Sequence, residues 1–264
     1  MKWLFRIFVI LFFSSITANY TYPCSSAAYI DSDKTILWIN FDRTDVSEAI
    51  YCEIKPFMCY GVKGFSYKSK LREDWMSHGM NEYGLAITTQ SPPNEEQRPN
   101  AKYYRPAGDW LKKFKTVGEA LLEIEKKKGY HLVAPLFRIL ADRDRIAIIE
   151  AYSPSTYKIV SLESGYLVHT NHYRFPELFD CNEKMNAKPK QTEGSEGRAR
   201  ILERFLEKTE NKTIETFKEI SLLPGIGRKI TIANIIFYIP HNNEKPKVIY
   251  RLPQSKDNTN WITN

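Results

Sequence analysis

The chain is poor in the features that announce the commoner functions. After Phe13 no stretch approaches the ~20 consecutive apolar residues that a bilayer-crossing helix needs, so stable membrane insertion is not expected once the leader is gone. Histidine is scarce. His169 and His172 lie three apart without matching carboxylate or cysteine ligands nearby, and no HExxH pattern occurs, so no metal is expected. The segment Pro224-Gly225-Ile226-Gly227-Arg228-Lys229 lacks the third glycine and the preceding strand of a phosphate cradle and reads as a turn. Gly194-Ser195-Glu196-Gly197 has the wrong spacing for a nucleophile elbow, and no strand precedes it. There is no internal repeat and no low-complexity segment. Basic residues outnumber acidic ones, 38 to 31, but they are interspersed. The longest basic run, Lys126-Lys127-Lys128, ends a predicted helix, where cations suit the helix dipole, so no nucleic-acid partner is implied.

What is present begins with a leader. Lys2 and Arg6, the apolar run Ile7 to Phe13, and the small, mostly polar Ser14 to Ala18 follow the n, h and c order of a secretory signal. Residues 1–18 therefore read as a signal peptide, 19–23 as a short propeptide, and 24–264 as one large domain of an exported protein, periplasmic or secreted. Four cysteines remain after export: Cys24, Cys52, Cys59 and Cys181. Cys52 and Cys59 are close enough in sequence to bridge, but spacing does not fix geometry, and buried thiols are the other reading.

Two extended runs, Cys24 to Ile30 and Thr35 to Phe41, flank Asp31-Ser32-Asp33-Lys34 and predict a hairpin. Gly84 to Thr89 predicts a strand and the Pro-rich stretch 92–106 a surface loop. Thr116-Val117-Gly118-Glu119 fits a capping box opening a helix that Gly129 stops. Leu136 to Ala141, Ile146 to Tyr152, Tyr157 to Leu162 and Tyr166 to Thr170 read as successive strands. Helices are expected over Ser195 to Lys208 and Thr213 to Leu222, then a closing hairpin from Ile230 to Ile239 and Lys247 to Leu252. Runs of strands set apart from runs of helices predict a layered α+β domain with mainly antiparallel sheets.

Cys24 follows the leader by a few residues and opens a strand-like run. It admits three readings. Lipid attachment wants small residues just before the cysteine, and Thr21-Tyr22-Pro23 do not suit it. A structural thiol and a nucleophile remain. A nucleophile at a chain start has a physical advantage: its own α-amine, of pKa roughly 7.7–8.0, can accept the thiol proton without a separate histidine.

Several segments, in order, carry a resemblance. They are Cys24-Ser25-Ser26, Asn40-Phe41-Asp42, Gly79-Met80-Asn81-Glu82-Tyr83-Gly84-Leu85-Ala86, Ala141-Asp142 leading to Ile148-Ile149-Glu150, and Thr170-Asn171-His172. Ser195-Glu196-Gly197-Arg198, which opens a helix, and a late strand from Thr231 to Tyr238 follow downstream. From Cys24 onward the chain resembles the isopenicillin-N acyltransferase and carcinine hydrolase family of the N-terminal-nucleophile superfamily. Choloylglycine hydrolases and penicillin V acylases are more distant.

The resemblance implies a four-layer αββα sandwich of antiparallel sheets. It also implies a thiol enzyme, activated by exposure of Cys24, that hydrolyses a linear non-peptide amide or transfers its acyl group through a thioester. Cys24 would be the nucleophile, and Asp42 would hold its amine or thiol. Asn171 would donate to the oxyanion, and Arg198 would bridge to Asp42 and keep the region electropositive. A backbone N–H near Thr89 to Ser91 would be a second oxyanion donor. Asn81 and Glu82 would be turn residues, and His169 and His172 would pack or hydrogen-bond locally. No cofactor is implied. The partner is a small N-acyl amide, and a homo-oligomer is left open. Ile39 stands where choloylglycine hydrolases carry an arginine, which speaks against bile-salt hydrolysis. The alternative is an inactive exported binding protein that keeps the fold.

Overall fold

In a computed structural model the chain is described over residues 24–42, 51–54, 59–63, 76–92, 107–129, 135–187, 189–253 and 260–263, with the backbone course alone for 51–54, 59–63 and 76–77. The expected signal peptide and propeptide, and residues 93–106 of the expected loop, lie outside the described residues, as do the side chains of Cys52 and Cys59.

The first expected hairpin forms. Strands β1 (Ser25–Ile30) and β2 (Lys34–Asp42) pair antiparallel around a turn that Asp31 holds, its Oδ1 accepting the N–H groups of Asp33 and Lys34. Strands β3 (Tyr51–Ile54), β4 (Cys59–Lys63), β5 (Met76–Met80) and β6 (Ala86–Gln90) come next. Two helices follow, α1 (Ala107–Lys113) and α2 (Val117–Lys126). Then come β7 (Leu136–Ala141), β8 (Ile146–Ser153), β9 (Thr156–Leu162) and β10 (Gly165–His169). Helices α3 (Asp180–Lys184), α4 (Pro189–Lys208) and α5 (Ile214–Ile220) lead to β11 (Thr231–Pro240), β12 (Lys247–Arg251) and β13 (Ile262–Thr263).

The strands form two sheets, ordered β10-β1-β2-β11-β12-β13 and β3-β4-β5-β6-β7-β8-β9, and every pairing is antiparallel. Their side chains sort into layers by the period of two that a pleated strand imposes. Leu37, Ile39 and Phe41 of β2 join Ile139, Ala141 and Ile148 in a core between the sheets. The alternate residues Ile36 and Trp38 pack outward, against Leu202 and Leu206 of α4 and Phe217 of α5. Leu140, Ala147 and Ile149 do the same from the seven-stranded sheet, against Trp110 of α1 and Val117 and Ile124 of α2. Helix, sheet, sheet, helix is thus the layer order, the expected αββα sandwich. Among the described residues no helix is long and apolar enough to cross a membrane.

Local differences from expectation have local causes. Helix α4 begins at Pro189, six residues before Ser195; proline's fixed φ and missing N–H suit a first turn. Ser195 therefore lies inside the helix. At α2 Thr116 accepts from the Glu119 N–H as a cap should, but the Glu119 carboxylate takes the N–H of Lys115 rather than that of Thr116. Gly129 stops the helix with φ of 74° and donates back to Ile124 O at 2.9 Å. Gly84 turns (φ 86°) before β6 rather than entering it.

Candidate active site

Cys24 stands immediately before β1, beyond the Ser25–Asn40 pair, where β1 and β2 meet at the Asp42 end. It is 2% exposed, and its Sγ lies 3.8 Å from the backbone oxygen of Asp42. In the full chain its nitrogen is the peptide nitrogen following Pro23.

The Asp42 carboxyl is fully buried. Its Oδ1 accepts from Asn40 Nδ2 at 2.7 Å and from Thr231 Oγ1 at 2.6 Å. Its Oδ2 is buried with no hydrogen-bond partner among the described residues. Burial pushes its pKa up to about 7, against the opposing pull of the Thr231 hydroxyl, the Arg198 and Arg228 charges and the Asn40 amide. Asn40 is held in turn: Asn234, its register partner on β11, donates to its Oδ1, and Arg251 grips Asn234 Oδ1 at 2.7 Å. Thr231, Asn234 and Arg251 are site residues that the sequence reading missed. Their only signal is a polar residue interrupting an apolar strand, as in Thr231-Ile232-Ala233-Asn234-Ile235.

Arg198, on α4, donates from Nε to Ser25 Oγ at 3.1 Å, from Nη1 to Gly194 O at 3.2 Å, and from Nη2 to Asn171 Oδ1 at 3.0 Å. Its expected bridge to Asp42 is not a contact. The guanidinium is committed to Ser25, Gly194 and Asn171, and it reaches Asp42 only through its charge. Burial, then the charge of Arg228, brings its pKa down to about 10, with Asp42 and Cys24 pulling the other way, so it is a cation at neutral pH.

Asn171 follows β10 and is 6% exposed. With Oδ1 facing a guanidinium and Nδ2 donating to Ser91 O at 2.8 Å, its amide has one orientation. An amide NH₂ carries two hydrogens, and the second has no acceptor among the described residues. Of the expected second oxyanion donors, the Thr89 N–H is directed to His78 Nδ1 at 3.2 Å.

The structure therefore brings Cys24 to Asp42, and Asn171 to Arg198, with Ser25 as the link between the pairs. Asn81 is structural, as expected: its Oδ1 accepts from Tyr83 and Leu85, and its Nδ2 ties the turn to Leu111 O and Phe114 O of the α1 end. His169 is fully engaged between Glu150 Oε1 at 2.9 Å and Gln90 Oε1 at 2.8 Å. Among the described residues no three His, Cys, Asp or Glu side chains gather as a metal site would.

Two antiparallel sheets between helical layers, with this polar cluster at the head of the first strand, define the class: the chain is a member of the N-terminal-nucleophile hydrolase superfamily. The sequence profile of "Acyl-coenzyme A:6-aminopenicillanic acid acyl-transferase" matches residues 63–239, more than half of the chain, and the chain belongs to that family of acyl-transferring enzymes. The matched stretch contains Asn171 and Arg198 and begins after Cys24 and Asp42. No curated protein sequence matches the chain. Similar solved structures include penicillin V acylase from Agrobacterium tumefaciens, 16% identical, TM-score 0.48, covering 91% of this chain and 90% of that one. A mutant conjugated bile acid hydrolase from Clostridium perfringens is 13% identical, TM-score 0.47, covering 91% and 96%.

Proposed function

We propose that the chain is an exported thiol enzyme that hydrolyses a linear, non-peptide amide or transfers its acyl group, with Cys24 as an N-terminal nucleophile. The observation that carries this reading is the grouping of Cys24 and Asp42 with an asparagine amide that keeps one donor hydrogen uncommitted. Loss of residues 1–23 gives Cys24 an α-amine. The Oδ2 of Asp42, buried without a hydrogen-bond partner, is the acceptor on hand for the ammonium form of that amine, and an opposite charge there favours ionised Asp42.

In this mechanism the α-amine takes the thiol proton and Sγ attacks the acyl carbonyl. The remaining Nδ2–H of Asn171 donates to the oxygen as it becomes negative, held in place by Arg198 on Oδ1. The tetrahedral intermediate collapses, the C–N bond breaks, and the leaving amine carries away the proton. Water or an acceptor amine then resolves the thioester. Arg198 adds a positive charge near the sulfur, which favours thiolate.

Export and processing belong to the same proposal. Signal peptidase cuts after Ala18, and self-cleavage or a second protease removes Asn19 to Pro23, because proline before the cut is a poor signal-peptidase site. Intact mass and N-terminal sequencing of the mature protein, before and after exposure to a panel of N-acyl amides, test the reading. The expected result is a chain beginning at Cys24 that gains one acyl mass, with no gain in Cys24→Ala. An active protein still beginning at Asn19, or full activity in Cys24→Ala, defeats it.

A further inference from the structure

Ser195 and His172 take no part in the chemistry above, yet both are buried against Asn171, 2% and 4% exposed. Two residues of α4, Ser195 and Arg198, grip the segment 170–172. The Asn171 N–H donates to Ser195 Oγ at 2.8 Å, and Thr170 Oγ1 donates to the backbone oxygen of Ser195 at 3.0 Å. Ser195 Oγ meets Thr170 Oγ1 at 2.9 Å and His172 Nδ1 at 2.8 Å. One turn further on, Arg198 holds the Asn171 side chain and is itself tied to Gly194 O.

Counting hydrogens fixes the direction of this network. The Thr170 hydroxyl hydrogen goes to Ser195 O, so the hydrogen between the two hydroxyls must come from Ser195. Ser195 Oγ then has only lone pairs left for Asn171 N–H and for His172, which makes His172 Nδ1 a donor. Burial holds the His172 pKa down at about 3, so the ring is neutral and carries its proton on Nδ1. A ring that donates to a serine hydroxyl cannot act as its base, so Ser195 and His172 do not form a second nucleophile pair.

We infer that Ser195 and His172 are positioning residues that lock the backbone of Asn171 onto α4, so that Arg198 and Ser195 fix that one amide from two sides. The inference rests on the proposed oxyanion role of Asn171. Serine fits because it is small enough to lie under the chain and still accept two hydrogen bonds while donating one. The family resemblance around Ser195-Glu196-Gly197-Arg198 then has a physical content: residues i and i+3 of one helix face hold the backbone and the side chain of one donor. A donor displaced by an ångström loses much of its effect on a transition state while scarcely altering substrate binding.

A double-mutant cycle on thioester formation in single turnover tests this. Ser195→Ala should slow acylation roughly 10- to 100-fold with KM changed little, an ångström-scale misplacement being worth up to that much. In an Asn171→Ala background, Ser195→Ala should cost nothing further, because there is no donor left to misplace. His172→Leu should behave like Ser195→Ala. His172→Asn, whose amide nitrogen can stand where Nδ1 does, should restore most of the rate, and this pair carries the test if Ser195→Ala does not fold. Costs that multiply between Ser195→Ala and Asn171→Ala overturn the inference, as does normal acylation in Ser195→Ala and His172→Leu while Asn171→Ala is slow. Normal acylation in Asn171→Ala instead removes the oxyanion reading itself, and the inference with it.

Discussion

Thr231 donates from its hydroxyl to Oδ1 of Asp42 across 2.6 Å, while Oδ2 of the same carboxyl is buried with no partner among the described residues. The pair joins the start of β11 to the end of β2 at the bulge where their register shifts. Half of the carboxyl is thus provided for by the fold, and under the proposed processing the other half is left for the new α-amine of Cys24.

That imbalance has a pH signature before processing. Burial raises Asp42 to about 7, well above its value in an unfolded chain. Between roughly pH 4 and pH 7 the fold therefore keeps a proton that the unfolded chain has lost. Its stability falls as pH rises through that window and levels off above it. A Cys24→Ala chain that retains its leader should be more stable at pH 5 than at pH 8 by on the order of 3 kcal/mol from this group. Adding Asp42→Asn should remove that difference, with the gain appearing at pH 8. Chemical denaturation of the two chains at both pH values measures it, and an unchanged pH difference in the double variant would show that Asp42 does not titrate in this range.

The oxyanion assignment has a charge-reversed test. Asn171→Ala should slow turnover roughly 100- to 1000-fold, the usual cost of one such donor. Asn171→Asp should be slower still, although its carboxylate can bind Arg198, because it faces the developing oxyanion with a negative charge. If Asn171→Asp acylates faster than Asn171→Ala, Asn171 serves only to anchor Arg198.

The glycines separate stability from activity. Gly129→Ala places a Cβ 2.0 Å from Pro154 O and 2.6 Å from the Tyr157 ring, at a φ of 74°. It should destabilise the fold by more than about 2 kcal/mol, since the left-handed backbone and the collision act together. Gly118→Ala, within α2 and with Thr116 Oγ1 at 3.8 Å as its nearest neighbour, should be neutral or stabilising by up to about 1 kcal/mol. Thermal melts rank the pair, and neither change should alter the rate per folded molecule.

Much of this architecture was legible because the sequence is locally consistent. From Leu136 to Thr170 extended runs set apart by polar turns mark four strands to within a residue or so of their bounds. The short strands β3, β4 and β5 were not legible, since Tyr51–Ile54, Cys59–Lys63 and Met76–Met80 are brief and gain their pairing from neighbours distant in sequence. At the site, Cys24, Asp42, Asn171 and Arg198 were named through ordered motifs. Thr231, Asn234, Ser195 and His172 gain their roles only through contacts that span 23 to 194 positions, which no local pattern encodes.

Arg198 is where the two halves of the site meet, so its replacement should reveal how they are joined. Three of its N–H groups point in three directions, to Ser25, Gly194 and Asn171. A lysine keeps the positive charge but cannot reproduce that planar fork. Arg198→Lys should therefore lose most of the turnover that Asn171→Ala loses, and the double variant should be little slower than either single one, because both remove the same oriented donor. Arg198→Met also removes the charge. With less opposition to burial, the Asp42 pKa should move further up, and the acid limb of the activity profile should move to higher pH in Arg198→Met but not in Arg198→Lys. Full pH–rate profiles of both variants, with folding checked by circular dichroism, separate geometry from charge. Equal turnover in Arg198→Lys and the parent would mean that Arg198 acts through its charge alone, and the contact with Asn171 would then carry no catalytic weight.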